Sequence, residues 1–404
     1  MVTYEDFVDL DYTPSSDEIV CEFLAKPYSK RAAGAIAAES SIGTWTELAR
    51  EKRKDKLMAK VFAIDNSRVK IAYPQQLFEK GNIPQILSSI AGNVFGLKEL
   101  KRLRLVNVEF PRAIARSFKG PAFGIRGIRK LTGVHDRPLV GTIIKPKLGL
   151  NSEEHAQVAY EAWAGGCDIV KDDENLSNQS FNKFDKRLEL TLKAKRKAEK
   201  ETGEFKVYMP NITAEYNEML KRAKEVKRKK GEYIMIDVIT SGFSAVQAIR
   251  NEDLGLVIHA HRAMHGAITR SKDYGVSMSV LARMLRLAGI DQLHTGTAVG
   301  KMSEDREEVL DNMHALTDEF HGIKKSMPVA SGGMHPRLVP ELFKITGKDI
   351  IIQAGGGIHG HPQGTRAGAK AMRDVVDAVT EKRTLVSAAA RSPELKEALN
   401  RWTQ

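Results

Sequence analysis

The chain has 404 residues, of which 42% are hydrophobic, and a formal net charge of +12. That length predicts a large core and two or three domains, and the lack of any run of about 18 apolar residues argues against a membrane span. The charge admits a nucleic-acid partner, but the densest basic run, residues 221–230, lacks interleaved aromatics and any nucleic-acid motif, so it reads as a solvated helical face; a milder reading is attraction of a highly anionic substrate.

In chain order, residues 18–24, 57–65 and 67–72 are strand-like, with helices expected around Leu48 and Leu87, which predicts a small N-terminal α+β domain over residues 1–122. Gly120, Pro121 and Gly124 break the pattern and place the boundary there. From residue 139 onward, eight short β-rich segments (139–145, 168–171, 206–210, 233–239, 255–259, 292–294, 328–330 and 349–353) alternate with amphipathic stretches such as 153–164, 186–201 and 276–288. Periodicity alone leaves an open doubly wound sheet as plausible as a closed barrel. The choice is tipped by what ends these strands: charged residues, His or Gly almost throughout, as expected where the loops of a (β/α)8 barrel converge on one mouth. The expected fold is therefore α/β, with a TIM barrel and C-terminal helical tail over residues 123–404. Cys21 and Cys167 match no metal or redox spacing and are read as unpaired thiols of a reducing compartment. The acidic, polar stretch 1–11 does not resemble a signal peptide, which adds to the expectation of a cytoplasmic protein.

The sharpest local signal is Lys171-Asp172-Asp173-Glu174-Asn175, ending the second barrel strand. Alone it reads as a solvated acidic loop as readily as a site. It follows the apolar stretch 167–170, however, so its carboxylates should reach the mouth, where oxygen ligands suit magnesium. Lys145 and Lys147 end the first strand, and these cations are expected to lower the Lys171 pKa. The fifth carries His259, His261, Arg262 and His265; zinc is the alternative there, disfavoured by the missing cysteine partners. After the sixth, 294–301 (HTGTAVGK) is small-residue rich, as a mobile lid would be, and fails the P-loop pattern because Met302 follows Lys301. Ser331-Gly332-Gly333 and Gly355-Gly356-Gly357 follow the last two strands, the usual phosphate corner of such barrels, where backbone N–H groups can approach an anion.

With Glu39-Ser40-Ser41-Ile42-Gly43-Thr44-Trp45-Thr46 and Gly92-Asn93-Val94-Phe95-Gly96, these motifs resemble, in the same order over essentially the whole chain, the ribulose-1,5-bisphosphate carboxylase/oxygenase (RuBisCO) large chain, and within it the archaeal-type form III branch. The resemblance implies carboxylation of ribulose 1,5-bisphosphate to two 3-phosphoglycerates, with O2 competing for the same intermediate. It implies that CO2 adds to Lys171 as a carbamate, which binds Mg2+ with Asp173 and Glu174, so that activation rises with pH, CO2 and magnesium together. Lys145 and His261 would move protons, Lys147 would lie at the substrate, and Arg262 and His294 would hold one phosphate. The other phosphate would fall to Ser331, Gly332, Gly333, Gly355 and Gly356. Lys301 would meet the incoming CO2. Glu39, Thr44, Trp45 and Asn93 would reach a partner subunit's barrel, implying a homodimer with shared sites, or a homo-oligomer of such dimers, without small subunits. Met302, the segment Met334-His335-Pro336, Gln363 and the short link from Lys301 to Pro328 depart from the plant pattern and bear on lid closure and CO2/O2 discrimination. Two alternatives are an enolase or isomerase on the same fold, which usually departs at the lid lysine or at the phosphate and proton-transfer residues, and a basic binding protein with a dead site.

Overall fold

The computed structural model describes residues 3–43, 55–299 and 305–402. Thirteen strands run through them: β1 Glu18–Lys26, β2 Lys60–Asp65, β3 Arg68–Pro74, β4 Arg102–Glu109, β5 Leu139–Ile143, β6 Ile169–Lys171, β7 Val207–Met209, β8 Tyr233–Asp237, β9 Val257–His261, β10 Tyr274–Val276, β11 Gln292–His294, β12 Met327–Ser331 and β13 Ile351–Gln353. The chain forms two compact units, the first running to Gly120 and also taking in Met264–Ala288 and Glu319–Ile323.

The first unit is built on a five-stranded sheet in the order β10-β4-β1-β3-β2, antiparallel except for β10 against β4. Along β1, Ile19, Cys21, Phe23 and Ala25 turn inward while their neighbours stay partly exposed, the period-two pattern of a strand covered on one face. Helix Lys30–Glu39 starts where Ser29 Oγ accepts from the Ala32 N–H at 3.1 Å. Helix Ile83–Ile90 stands where one was expected around Leu87, whereas the helix expected around Leu48 falls outside the described residues. The stretch 276–288 is corrected: Val276 ends β10, and the helix begins at Met278. Pairing with Leu103–Leu105 overrides the helical pattern here, assisted by Arg104 donating to Thr269 O at 2.8 Å and by the Tyr274 hydroxyl donating to Leu100 O.

The second unit contains the eight parallel strands in the order β7-β6-β5-β13-β12-β11-β9-β8. A parallel bridge between Asn211 and Met235 joins the outer two, with Met235 N donating to Pro210 O at 2.9 Å, so the sheet closes into a barrel. Each of the eight segments expected from the sequence contains or overlaps one of these strands. They are buried on both faces, because helices cover the outside and side chains fill the interior. The strand-start residues Leu139, Ile169, Val207, Tyr233, Val257, Met327 and Ile351 pack into one cluster with Ile128, from helix Gly124–Thr132, which closes the N-terminal end.

Buried charges clamp that same end. Arg137 grips Asp168 through two bonds of 2.6 and 2.8 Å, and Asp291 accepts from Arg250 at 2.5 Å and from the Phe123, Gly124 and Ile258 N–H groups at 2.7 to 2.9 Å. Gly124 is needed at this join: its φ is +59°, and a Cβ would lie 2.6 Å from Lys325 O. The basic run lies on and after helix Tyr216–Arg228, where Arg228 pairs with Glu225 at 2.6 Å and Lys229 with Glu189 at 2.9 Å, as a solvated face would. No helix among the described residues is long and apolar enough to cross a membrane.

Both cysteines are unpaired and fully buried. Burial, with Asp168 adding to it, pushes the Cys167 thiol up to about 12, and burial raises Cys21 as well. Since the thiolate is the reactive form, neither should react with a disulfide reagent in the native protein at pH 8, while both should react in denaturant. A thiol titrating rapidly before unfolding would contradict this packing.

Candidate active site

The C-terminal ends of the barrel strands carry most of the candidate site residues. β6 ends at Lys171, which is fully buried; its Nζ donates to Asp172 O at 2.9 Å, touches Met235 Sδ at 3.2 Å and lies 3.8 Å from Glu174 Oε2. Burial lowers the Lys171 pKa against the opposing pull of Glu174, Asp173, Asp237 and Asp172. The direction agrees with expectation; the cause does not. Lys147 is exposed and Lys145 is ion-paired to Asp173 at 2.7 Å, so desolvation rather than neighbouring cations depresses the amine.

The three acidic residues after Lys171 divide. Asp173 is buried, bonded to Lys145 and, through Oδ1, to the Asn175 N–H at 3.2 Å. Glu174 remains partly exposed, with Oε2 3.6 Å from His261 Nε2. Asp172 instead faces inward, accepting from Arg187 Nε at 3.0 Å, the Tyr208 hydroxyl at 2.8 Å and the Asn211 N–H at 3.0 Å, with His155 Nε2 also 3.0 Å away. Burial would raise the Asp172 carboxyl, yet Arg187, His155 and the Asn211 N–H together hold it well below the usual carboxylate range.

His261, at the end of β9, accepts the Ala263 N–H at Nδ1 (3.2 Å) and has Asp237 Oδ1 3.1 Å from that nitrogen. Asp237 was not singled out from the sequence, although its place at the end of the otherwise apolar β8 is the available signal. Arg262 is buried next in the chain. His294, ending β11, packs edge-on against His261 with centroids 4.7 Å apart. Gly332 (φ +118°) and Gly333 (φ +68°) follow Ser331 at the end of β12. After β13, a Cβ on Gly355 would lie 3.2 Å from Lys145 Cε, so this loop borders the first strand's lysine. Gly356 is exposed beside it.

His359, also missed in the sequence, is held between two threonines. Thr142 Oγ1 donates to Ala354 O at 2.7 Å and so accepts from His359 Nε2 at 2.9 Å, while His359 Nδ1 lies 3.0 Å from Thr365 Oγ1. Burial, with Lys145 adding to it, lowers this imidazole to about 4. Its folded pKa thus lies below the unfolded value of about 6.5, so the unfolded chain takes up the proton first and stability falls as pH drops through that window towards 4. His359→Gln should flatten the loss of unfolding temperature between these pH values; parallel curves for the two proteins would reject the assignment.

Glu39 and Asn93 belong to the first unit, where both are exposed. His265, in the same unit, bonds Thr269 Oγ1 through Nδ1 at 2.9 Å. Thr44, Trp45 and Lys301 lie outside the described residues.

Comparison with known proteins shows the family of the chain. Residues 124–402 match the family model of the ribulose bisphosphate carboxylase large chain catalytic domain, and residues 6–114 that of its N-terminal domain. The chain is 49% identical over 423 residues to the ribulose bisphosphate carboxylase of Methanocaldococcus jannaschii, covering 98% of this chain and 100% of that one. It is 51% identical over 409 residues to that of Pyrococcus furiosus, covering 99% and 97%. Among solved structures, the octameric enzyme of Pyrococcus horikoshii OT3 in complex with sulfate superposes with a TM-score of 0.96 at 49% identity over 99% of this chain and 97% of that one. A dimeric archaeal enzyme from Hyperthermus butylicus superposes with a TM-score of 0.91 at 43% identity over 99% of both chains. With both of its units matched and its relatives aligned end to end, the chain belongs to the ribulose bisphosphate carboxylase large-chain family.

Proposed function

We propose that the chain carboxylates ribulose 1,5-bisphosphate to two molecules of 3-phosphoglycerate, with O2 as competing substrate. The observation that carries this reading is a fully buried lysine amine, Lys171, lowered in pKa and set beside the carboxylates of Asp173 and Glu174 at a barrel mouth. An uncharged amine attacks CO2: an N–C bond forms, one C–O π bond opens onto oxygen, and nitrogen loses a proton, leaving a carbamate.

The donor set fits magnesium. Among the described residues no three His, Cys, Asp or Glu side chains group to hold a metal, whereas a carbamate on Lys171 would add a third anionic oxygen ligand to Asp173 and Glu174. When bound, the ion supplies Lewis acidity and a template for the substrate oxygens. The side chains do the rest. Lys145, steered by Asp173, and His261 move protons at the reacting carbons. Lys147 adds positive charge at the mouth. Arg262 and His294 hold one phosphate, and Ser331, Gly332, Gly333, Gly355 and Gly356 the other, mainly through backbone N–H groups. Lys301 closes over the substrate and stabilises the new carboxylate, paired with Glu39. Glu39, Thr44, Trp45 and Asn93 come from the N-terminal domain, residues 1–122, of a second copy, so the working unit is a homodimer or an assembly of such dimers without small subunits. That relatives are dimeric and octameric supports homo-oligomerisation. A cytoplasmic setting suits the two buried free thiols.

The test is incorporation of labelled CO2 into 3-phosphoglycerate after pre-incubation with bicarbonate and magnesium. Label that disappears when magnesium is withheld is the expected result; absence of label throughout, with proton exchange at C3 intact, would reject the carboxylase reading. For the lid, Lys301→Ala should abolish carboxylation yet leave C3 exchange measurable, and equal loss of both would reject the role given to Lys301.

A further inference from the structure

The proposed reaction leaves His259 unused. It is fully buried on β9; its Nδ1 lies 3.0 Å from Gln292 Oε1 and its Nε2 lies 3.0 Å from His294 Nε2. The His259 and His294 rings meet edge to face with centroids 4.9 Å apart. At the other end of this row, Gln292 Nε2 and the Tyr233 hydroxyl are both buried without a hydrogen-bond partner. The strands that carry them both pair with β9, Gln292 opposite His259 and Tyr233 opposite Val257, and the Gln292 amide eases the Tyr233 phenol downward against the upward push of burial. All four residues belong to the second unit.

Counting donors and acceptors leaves two arrangements. Burial pulls both imidazoles well below the usual histidine range, so each ring carries one proton. In the first, Gln292 offers Oε1, His259 donates from Nδ1, and His259 Nε2 accepts from His294 Nε2–H. His294 Nδ1 is then a bare lone pair, which repels an anion. In the second, the amide is turned over: Gln292 Nε2 donates to His259 Nδ1, His259 Nε2–H donates to His294 Nε2, and His294 Nδ1 carries the proton. The Tyr233 hydroxyl can serve either, being both donor and acceptor. Between the two, the proton on His294 Nε2 passes to His259 Nε2, while one proton leaves His259 Nδ1 and one arrives at His294 Nδ1 by exchange with solvent, so the net charge is unchanged.

We infer that His259 and Gln292 are positioning residues for phosphate binding: the anion selects the second arrangement, in which a neutral His294 donates its Nδ1–H to a phosphate oxygen. The inference rests on the reading that His294 holds a substrate phosphate. It explains how a buried, uncharged imidazole can serve as a donor without an imidazolium being buried.

The experiment is 15N NMR of the enzyme labelled at histidine ring nitrogens, assigned with His259→Gln and His294→Gln, with and without ribulose 1,5-bisphosphate in the absence of CO2 and magnesium. Without ligand, His259 should be protonated at Nδ1 and His294 at Nε2; with it, both protons should change sides. A His294 that responds while His259 stays as it was, or becomes doubly protonated, overturns the relay and leaves the phosphate reading standing. A His294 that does not respond at all overturns both. In kinetics, His259→Leu should raise KM for ribulose 1,5-bisphosphate by about 10- to 100-fold, the worth of one charge-assisted hydrogen bond, with kcat changed far less. His259→Gln, whose amide can still donate to His294, should remain within about threefold of the unsubstituted enzyme. Unchanged KM in His259→Leu contradicts the inference. Should that variant fail to fold, Gln292→Met reads the same point, because the ligand-free preference for the first arrangement should vanish in its spectrum, and a preference that persists overturns the role of Gln292.

Discussion

Lys171→Met is expected to lose carboxylase activity by at least about 1000-fold, and no pre-incubation with CO2 and magnesium should restore it. The magnitude follows from what the proposed reading would lose: the anionic oxygens of a carbamate and, with them, a metal ion whose Lewis acidity would be worth several kcal/mol, each ~1.4 kcal/mol being tenfold in rate. The fold should survive. Lys171 Nζ makes one backbone hydrogen bond and one sulfur contact inside the barrel, and methionine fills a similar volume without a buried polar head to satisfy. Activity alone would not separate a lost carbamate from a distorted mouth, so the check is spectroscopic. Enzyme incubated with 13C-bicarbonate and magnesium should show a carbamate carbon resonance that Lys171→Met lacks, while both proteins unfold at similar temperatures. A carbamate signal that persists in the variant would move the modification to another amine.

How much of this was legible without coordinates depends on which physical rule sets each feature. The eight barrel strands could be read because each is a short apolar run ending in a residue with chemistry, and that polar end correctly chose a closed barrel over an open sheet. β10 could not: its three residues are a strand only because β4 pairs with them, across more than 160 positions of sequence. Long-range packing of the same sort brings Met264–Ala288 and Glu319–Ile323 into the first compact unit. At the mouth, Lys171, Asp173, Glu174, His261 and His294 were legible as residue types ending strands. Their electrostatics were not. Adjacent lysines suggested mutual repulsion as the reason for a depressed amine, whereas Lys145 turns to Asp173 and burial does the work. Asp237 and His359 were missed because each stands alone in the sequence and gains its partners only in three dimensions.

The partners of Asp172 are likewise set only in three dimensions, and its pairing with Arg187 carries the largest expected effect on stability. In sequence it is one of three carboxylates beside Lys171; in the fold it turns away from the mouth to join β6 to helix Phe184–Thr202 through Arg187 and to β7 through the Tyr208 hydroxyl. Arg187, itself fully buried, also donates to Asn182 O at 2.9 Å and Ser177 O at 2.7 Å, so one guanidinium ties down the whole loop that follows the Lys171 motif. Arg187→Met should therefore cost about 3–5 kcal/mol, the usual cost of leaving a buried charge without its partner. Asp172→Asn should cost less, because the carboxamide oxygen can still accept from the Asn211 N–H, the Tyr208 hydroxyl can turn to accept from the carboxamide NH2, and Arg187 keeps its two carbonyl contacts. Unfolding temperatures at one protein concentration would rank the variants. The double variant Asp172→Asn/Arg187→Met should be less destabilised than the sum of the two single ones, since removing both charges leaves neither uncompensated. Strict additivity would mean that the pair is not coupled and that Arg187 acts through its carbonyl contacts alone. Carboxylase activity should fall in Arg187→Met even below its unfolding temperature, because the loop it anchors starts at Asp173 and Glu174, and an error of about 1 Å in their position costs about 100-fold in rate.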